Sequence, residues 1–212
     1  FNVVNMINSE ARKIYTSRIV SKGMSAGLKF AEAWLDPGVD AGPLPALFLR
    51  LTAKKLRDMK AELGLFLGSS DPINKSNSFA GEQVSAFARL SATLKPQYFQ
   101  MEKLALYVGM YPDIAAAKGC VSCHNDHERS PKKDWRMNDV MGATTWTYPR
   151  SLLSSAEGRA EVAKTYGAIR SAYEEYLSRA RQFTSPVFIG PEWPQKGERK
   201  LPDADTFMNS VF

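Results

Sequence analysis

The two cysteines of the chain lie close together and directly precede a histidine, in the segment Cys120-Val121-Ser122-Cys123-His124. They are the only cysteines among 212 residues. With this spacing, two thiols can form thioether bonds to the two vinyl groups of one porphyrin. The histidine that follows then supplies the proximal nitrogen ligand of the iron. The segment therefore predicts one covalently bound haem c, held by Cys120 and Cys123, with His124 as the iron ligand.

Two other uses of a Cys-x-x-Cys pair are a redox dithiol and half of a zinc site. A zinc site would need further ligands, and His127 is the only other histidine. A thioredoxin-like dithiol would need a strand before the pair and a helix that begins at it. Residues 112–119 instead predict a short helical turn closed by a glycine, and residues 125–131 predict a loop. The pattern therefore favours haem over a dithiol or a metal site.

The charge and the composition limit the possible partners. The chain carries a formal net charge of +6 and is 44% hydrophobic, but its basic residues are scattered and no apolar run is long enough to span a bilayer. We expect no nucleic-acid partner and no membrane-spanning segment, and a basic surface that faces solvent, haem propionates or an acidic redox partner.

The expected location follows from the haem, because haem c is attached outside the cytoplasm. The chain begins at Phe1 without a recognisable signal sequence. We expect a chain that has lost a signal peptide, or a domain of a longer protein, in the periplasm or an equivalent compartment.

Hydrophobic periodicity predicts an α+β chain with long helices near both ends. Helices are predicted at residues 3–35, 47–63, 82–94 and 152–183, and strands at 65–67, 98–101, 104–110 and 140–148. The last helix carries a stripe at three-four spacing, formed by Tyr166, Ile169, Tyr173, Tyr176, Ala180 and Phe183. Packing of this stripe against the N-terminal helix is favoured over a homodimer through the terminal helices. Residues 1–184 are predicted as one domain, and residues 185–212 as a proline-rich arm that docks on its own domain or on a partner.

The residues around the haem segment resemble a bacterial family of PAS-like domains with covalent haem c. The resemblance rests on residues 119–125, on Ser-Pro-Lys-Lys-Asp-Trp at 130–135, and on Asp-Val-Met-Gly-Ala at 139–143. Residues 71–77 are similar to the Asn/Pro-rich turn of that family. Its members are extracytoplasmic sensors ahead of histidine kinases, cyclases or chemotaxis receptors, or stand-alone proteins.

The resemblance covers residues 14–148 and implies a PAS-like antiparallel sheet bracketed by helices. It also implies that the haem lies between the sheet and the N-terminal helix. Asn138 stands where the family usually has a glycine, and we expect it to be tolerated in the turn. The proline-rich arm stands where a sensor would have its transmembrane helix and effector.

The sixth iron ligand decides between electron transfer and gas binding. The candidates are Met24, Met110, Met137, Met141, His127 and a lysine. Met24 is preferred because it lies on the predicted buried stripe of the N-terminal helix, which the resemblance places over the distal face. Core packing is the alternative role of a methionine in such a stripe, and His127 is too close to His124 to reach the opposite face.

Basic and aromatic side chains near the haem segment are candidates for contacts with the porphyrin. Arg129, Lys132 and Arg136 are predicted to neutralise haem propionates, with solvated loop charges as the alternative. Tyr107 and Tyr111, on or just after the strand before the segment, are predicted to pack on the haem edge or bond a propionate. Trp135 is predicted to be a packing anchor.

Three functions are compatible with such a chain. The first is an electron-transfer cytochrome, free or as a subunit of a larger redox complex. The second is a redox or diatomic-gas sensor, and the third is a haem enzyme. Because no paired catalytic constellation is visible, no enzymatic activity is expected. Electron transfer is favoured, since the chain as given carries no effector, and sensing is the alternative that the resemblance favours.

Overall fold

The computed structural model describes residues 1–211 and contains both helices and strands. Its helices are α1 (Asn2–Ile14), α2 (Lys22–Ser25), α3 (Pro45–Asp58), α4 (Glu82–Thr93), α5 (Lys118–Asp126), α6 (Ser155–Ala180) and α7 (Ala204–Asn209). Its strands are β1 (Phe30–Ala31), β2 (Gly42–Pro43), β3 (Gly64–Gly68), β4 (Gln97–Met101), β5 (Leu106–Ile114), β6 (Val140–Tyr148), β7 (Phe188–Gly190) and β8 (Lys200–Pro202). A four-stranded antiparallel sheet in the order β3-β6-β5-β4 is the largest sheet. The α+β prediction is confirmed, and the architecture is compatible with a PAS-like fold.

The chain divides into two compact units. The sheet unit consists of Phe1 and Ala61–Gly158, and the helical unit consists of Asn2–Lys60 together with the chain from Arg159 onward. Among the described helices, none has both the length and the apolar character that crossing a bilayer requires.

The sheet of the sheet unit has two distinct faces, because successive side chains of a strand point to opposite sides. On one face, Met110 and Ala143 pack against Ala86, Phe87 and Leu90 of α4. The other face carries the alternate residues of β5 and β6, namely Tyr107, Tyr111, Asp113, Thr144, Trp146 and Tyr148. The α4 face is therefore an ordinary apolar core, whereas the opposite face bears ring, hydroxyl and carboxylate groups.

The helical unit is held together by aromatic packing between α6 and the first helices. Tyr15 stacks on Phe48 of α3 with ring centroids 4.2 Å apart, and it meets the Tyr176 ring edge-on. The predicted stripe of α6 lies in this core together with Ile7 and Ala11 of α1. Intramolecular packing of the stripe is thus confirmed, and a homodimer through the terminal helices stays a prediction.

The predicted N-terminal helix over residues 3–35 is too long. After α1 the chain forms a π-helix at Tyr15–Ser21 and then α2, which ends at Ser25. Gly27 follows with φ of 85°, and the Leu28 N–H donates to the Gly23 carbonyl oxygen at 2.8 Å. A glycine in the left-handed region with this bond is a helix stop. The apolar spacing that continues through Leu28 and Leu35 is therefore not helical.

The other predicted long helices and the predicted strands agree with the structure to within a few residues, except for the end of the second helix. The second helix ends at Asp58 rather than at residue 63, because Lys60 adopts φ of 53°. Gly64 then opens β3 instead of closing the helix. Residues 61–63 connect α3 to β3.

The proline-rich arm packs within the helical unit. β7 pairs in parallel with β8, and Phe207 of α7 stacks on Tyr173 of α6 with centroids 4.2 Å apart. The boundary predicted at residue 184 does not coincide with the division into units, since these aromatic contacts join the arm to α6. Phe212, the last residue of the predicted arm, lies outside the described residues, and docking on a partner stays a prediction.

A capping carboxylate fixes the start of α7. The Asp203 side chain accepts a hydrogen bond from the Thr206 N–H at 2.8 Å, which lowers the pKa of this carboxyl below its usual 3.8. We expect Asp203→Ala to lower the free energy of unfolding by about 1 kcal/mol at neutral pH. Because a lowered pKa stabilises the fold only above the unfolded value, this difference should disappear as the pH falls through the lowered pKa.

Chemical denaturation at neutral and at acidic pH measures this difference. Asp203→Asn is the matched control, because asparagine also caps helices but does not titrate. An Asp203→Ala loss that persists unchanged in acid would contradict the capping role.

Candidate functional site

The Cys-x-x-Cys-His segment lies on a helix that follows a strand. β5 ends at Ile114, and α5 begins four residues later at Lys118 and runs to Asp126. The predicted helical turn before the segment is therefore wrong, whereas the loop predicted at residues 125–131 is present from His127 onward. Pro112 interrupts the strand pattern in the sequence, yet β5 accommodates it because β4 pairs only as far as Met110.

The connection that carries α5 is closed at its base by backbone hydrogen bonds. Ala115 N–H donates to the Asp139 carbonyl oxygen at 2.9 Å, and Asn138 N–H donates to that of Ala115 at 3.0 Å. Asn138 adopts φ of 71°, a conformation that asparagine tolerates better than most residues, as expected for its place in the turn. Residues 115–139 therefore form a closed excursion between β5 and β6.

The three chemically important side chains lie on one side of α5. Cys123 and His124 follow Cys120 by three and four residues, so the three positions span an arc of about 100° of the helix. Neither cysteine forms a disulfide; Cys120 is half-buried and Cys123 is exposed. No residue of α5 is buried. This face can therefore accept a flat group from outside the protein core.

His124 has an imidazole whose pKa is lowered and a ring nitrogen without a hydrogen-bond partner. Burial lowers the pKa of its imidazole below 6.5, Asp113 opposes this shift, and His127 adds to it. Its Nδ1 atom is buried and has no partner. A neutral imidazole is the form that binds a metal, and a metal-bound histidine usually donates its other N–H to an acceptor. Asp113, on the sheet face described above, is the nearby carboxylate that the pKa shift identifies.

A hydrogen-bonded pair ties the end of α5 to the following loop. The Asn125 amide accepts a hydrogen bond from the Trp135 backbone N–H at 2.9 Å and donates one to the Trp135 carbonyl oxygen at 3.0 Å. Trp135 is 6% exposed, which agrees with its predicted role as a packing anchor. We call this pair of hydrogen bonds the Asn125–Trp135 latch.

The residues present fit a haem that is attached through both thiols. Two cysteines, neither of them buried, and a histidine of lowered pKa share one helix face. The buried Nδ1 atom of His124 has no hydrogen-bond partner within the protein. Across residues 1–211, no group of three or more His, Cys, Asp or Glu side chains is arranged to hold a metal ion.

The three basic residues predicted to contact the propionates all lie in the 115–139 connection. They differ in whether their charges are paired within the protein. Lys132 pairs with Asp134 at 3.0 Å and lies over the Trp135 ring at 4.7 Å. Arg129 and Arg136 are exposed. Contact of any of the three with a propionate stays a prediction.

The predicted sixth ligands are scattered. Met24 is 52% exposed, so its predicted place on a buried stripe is wrong, because the helix stops at Ser25. It belongs to the helical unit and lines a cavity of about 660 Å³ with Leu28 and Phe30. Met110 is fully buried in the core of the sheet unit, where it acts as a core side chain.

The remaining candidates lie near α5 in the chain. Met137 is 42% exposed and Met141 is half-buried. The His127 backbone N–H donates to the Cys123 carbonyl oxygen at 2.9 Å at the end of α5. The His127 Nδ1 atom accepts a hydrogen bond from the Arg129 backbone N–H at 3.1 Å, so this nitrogen already has a partner.

The two tyrosines lie on the same sheet face as Asp113 but at different distances along β5. Tyr111 is buried, its hydroxyl lies 3.3 Å from that of Tyr98, and burial raises its pKa. Tyr107 is six residues before Asp113, about 20 Å along the strand. The structure therefore brings Tyr111, and not Tyr107, toward the end of β5 that leads to α5.

Two residues of this site, Asp113 and Asn125, are given no role by the sequence-based prediction. Asp113 lies on the same sheet face as Trp146. The alternation of side chains along β5 predicts this position only if the predicted strand continues past Pro112. The Asn125 side chain meets the backbone of Trp135 because the loop after α5 folds back onto the helix. No local pattern in the sequence predicts this contact.

The sheet, α5 and the closed 115–139 connection define an α+β protein of PAS-like architecture with a Cys-x-x-Cys-His helix. A model of the Tll0287-like family matches residues 3–149, which is more than half of the chain and includes this whole site. The chain belongs to the Tll0287-like family. No curated protein matches it, and no solved structure does.

Proposed function

We propose that the chain is a monohaem c-type cytochrome whose haem is bonded to Cys120 and Cys123, with His124 as the proximal ligand. The observation that carries the proposal is the common face of these three residues on a helix without buried side chains. When bound, the haem supplies a one-electron iron couple. His124 provides a neutral imidazole, and Asp113 is the carboxylate suited to orient it.

Electron transfer outside the cytoplasm is the function we propose for this group. A haem attached to an exposed helix lies near the protein surface, where a redox partner protein or complex can approach. Arg129, Lys133 and Arg136 are exposed in the same connection, and such basic groups favour encounter with an acidic partner. We propose a periplasmic location, and we assign no enzymatic reaction.

A redox or diatomic-gas sensor is the second candidate. The PAS-like architecture and the family favour it. Met24 is 52% exposed and is not part of a buried core. A weak or replaceable bond between the iron and the Met24 sulfur would suit gas binding.

Absorption spectra of the oxidised and reduced protein, with and without carbon monoxide, test the choice between these functions. A low-spin spectrum with a sulfur-to-iron band that carbon monoxide leaves unchanged supports the electron carrier. A high-spin or carbon-monoxide-binding spectrum supports the sensor instead.

Substitution of Met24 tests the sixth ligand in the same measurement. We expect Met24→Ala to abolish the sulfur-to-iron band and to raise the high-spin fraction of the ferric protein. Met6→Ala is the matched control, because Met6 is also an exposed methionine of the helical unit, at 59%. An unaltered ferric spectrum of Met24→Ala would remove Met24 as a ligand.

A further inference from the structure

Trp135 carries a buried hydrogen-bond donor that the protein leaves without a partner. The side chain is 6% exposed, and the indole Nε1 atom is buried with no acceptor in hydrogen-bond range. Buried donors are paired in nearly all native structures, because desolvation without a hydrogen bond is costly. An acceptor from outside the chain is therefore expected at this nitrogen.

The Asn125–Trp135 latch fixes this donor relative to the proposed iron ligand. Both of its hydrogen bonds join the Asn125 amide to the backbone of Trp135, and Asn125 directly follows His124. The Lys132 ammonium covers one face of the indole ring. The indole therefore sits on a loop that is tied to the haem-binding helix.

The other unpartnered atom of the site cannot serve as the acceptor. The Nδ1 atom of His124 is also buried and unpaired. If the second nitrogen of this imidazole binds iron, Nδ1 carries the proton, and two N–H donors cannot bond to each other. The bound group can supply the acceptor, because its carboxylates are the strong hydrogen-bond acceptors of haem.

We propose that the Trp135 indole N–H donates a hydrogen bond to a haem propionate, and that the latch makes Asn125 a positioning residue for this bond. This inference rests on the proposed haem function. It differs from the sequence prediction, which assigned the propionates to basic side chains or to Tyr107 and Tyr111. Lys132 is already paired with Asp134, whereas the indole N–H has no competing partner.

Trp135→Phe tests the bond, since it keeps an aromatic ring and removes the N–H. We expect the propionate bending band in the resonance Raman spectrum to shift. We also expect the midpoint potential to fall, because a propionate without this donor carries more negative charge and stabilises ferric iron. Trp34→Phe is the matched control, because Trp34 is 4% exposed and belongs to the helical unit. An unchanged band and potential in Trp135→Phe would overturn the inference.

A second measurement needs no change at Trp135. In the wild-type protein, we expect the Trp135 indole proton to exchange at least about tenfold more slowly with haem attached than in chains produced without haem attachment. Asn125→Ala should return this exchange to the haem-free rate. Equal rates in both wild-type forms would overturn the inference alone, whereas a wild-type chain that attaches no haem would overturn the proposed function as well.

Discussion

Replacing Cys120 and Cys123 together with alanine is expected to abolish covalent haem attachment. Each thioether requires one thiol, and the chain has no third cysteine. Any haem that remains should be held by His124 and by packing, and acid with organic solvent should extract it completely. Each single variant should retain one thioether and one vinyl group, and so give a pyridine haemochrome band between those of haem c and haem b.

Ser122→Ala is the control for these variants, because Ser122 lies between the cysteines and is exposed. We expect it to attach haem as the wild type does. Haem that stays covalently bound in the double cysteine variant would contradict the assignment of both attachment points.

Trp146→Ala is expected to destabilise the sheet unit by about 3–5 kcal/mol, which is the usual loss for a large aromatic side chain replaced in a core. Trp146 has no exposed surface and lies in β6, directly opposite Leu65 on one side and Gly109 on the other. Removing the indole leaves a large cavity in the middle of the sheet. Chemical denaturation and the hydrogen exchange of β5 and β6 amides measure the loss.

Trp193→Ala provides the comparison, since this indole is only half-buried and belongs to the helical unit. We expect a smaller loss there and no faster exchange in β5 and β6. A Trp146→Ala loss below about 1 kcal/mol would mean that the sheet repacks around the gap, and that Trp146 is not central to it.

The elements that the sequence predicts well are those that bury an apolar face against protein. α4 and β6 were found because Phe87, Leu90, Ala143 and their neighbours repeat with the period of a packed helix or strand. The predicted N-terminal helix is too long because apolar spacing continues past Gly27, the residue of positive φ that follows the end of α2.

The sequence predicts the haem-binding residues of α5 but not the helix that carries them. No residue of this helix is buried, so it has no apolar periodicity that could indicate a helix. The spacing of Cys120, Cys123 and His124 predicts a haem, which would cover this helix. The spacing does not predict that the three residues lie on a helix, and only the structure shows it. The latch partners are ten residues apart, Asn125 in α5 and Trp135 in the loop that follows, and local sequence rules give no such pairing.

The strand and helix around the motif also suit a redox dithiol, so the state of the two thiols is the most direct test. The wild-type chain should be produced with haem-attachment machinery, reduced, treated with an alkylating reagent under denaturing conditions, and measured by intact mass spectrometry. We expect a mass increased by one haem after acid–solvent extraction, with neither cysteine alkylated. A chain without haem in which both cysteines are alkylated would contradict this expectation.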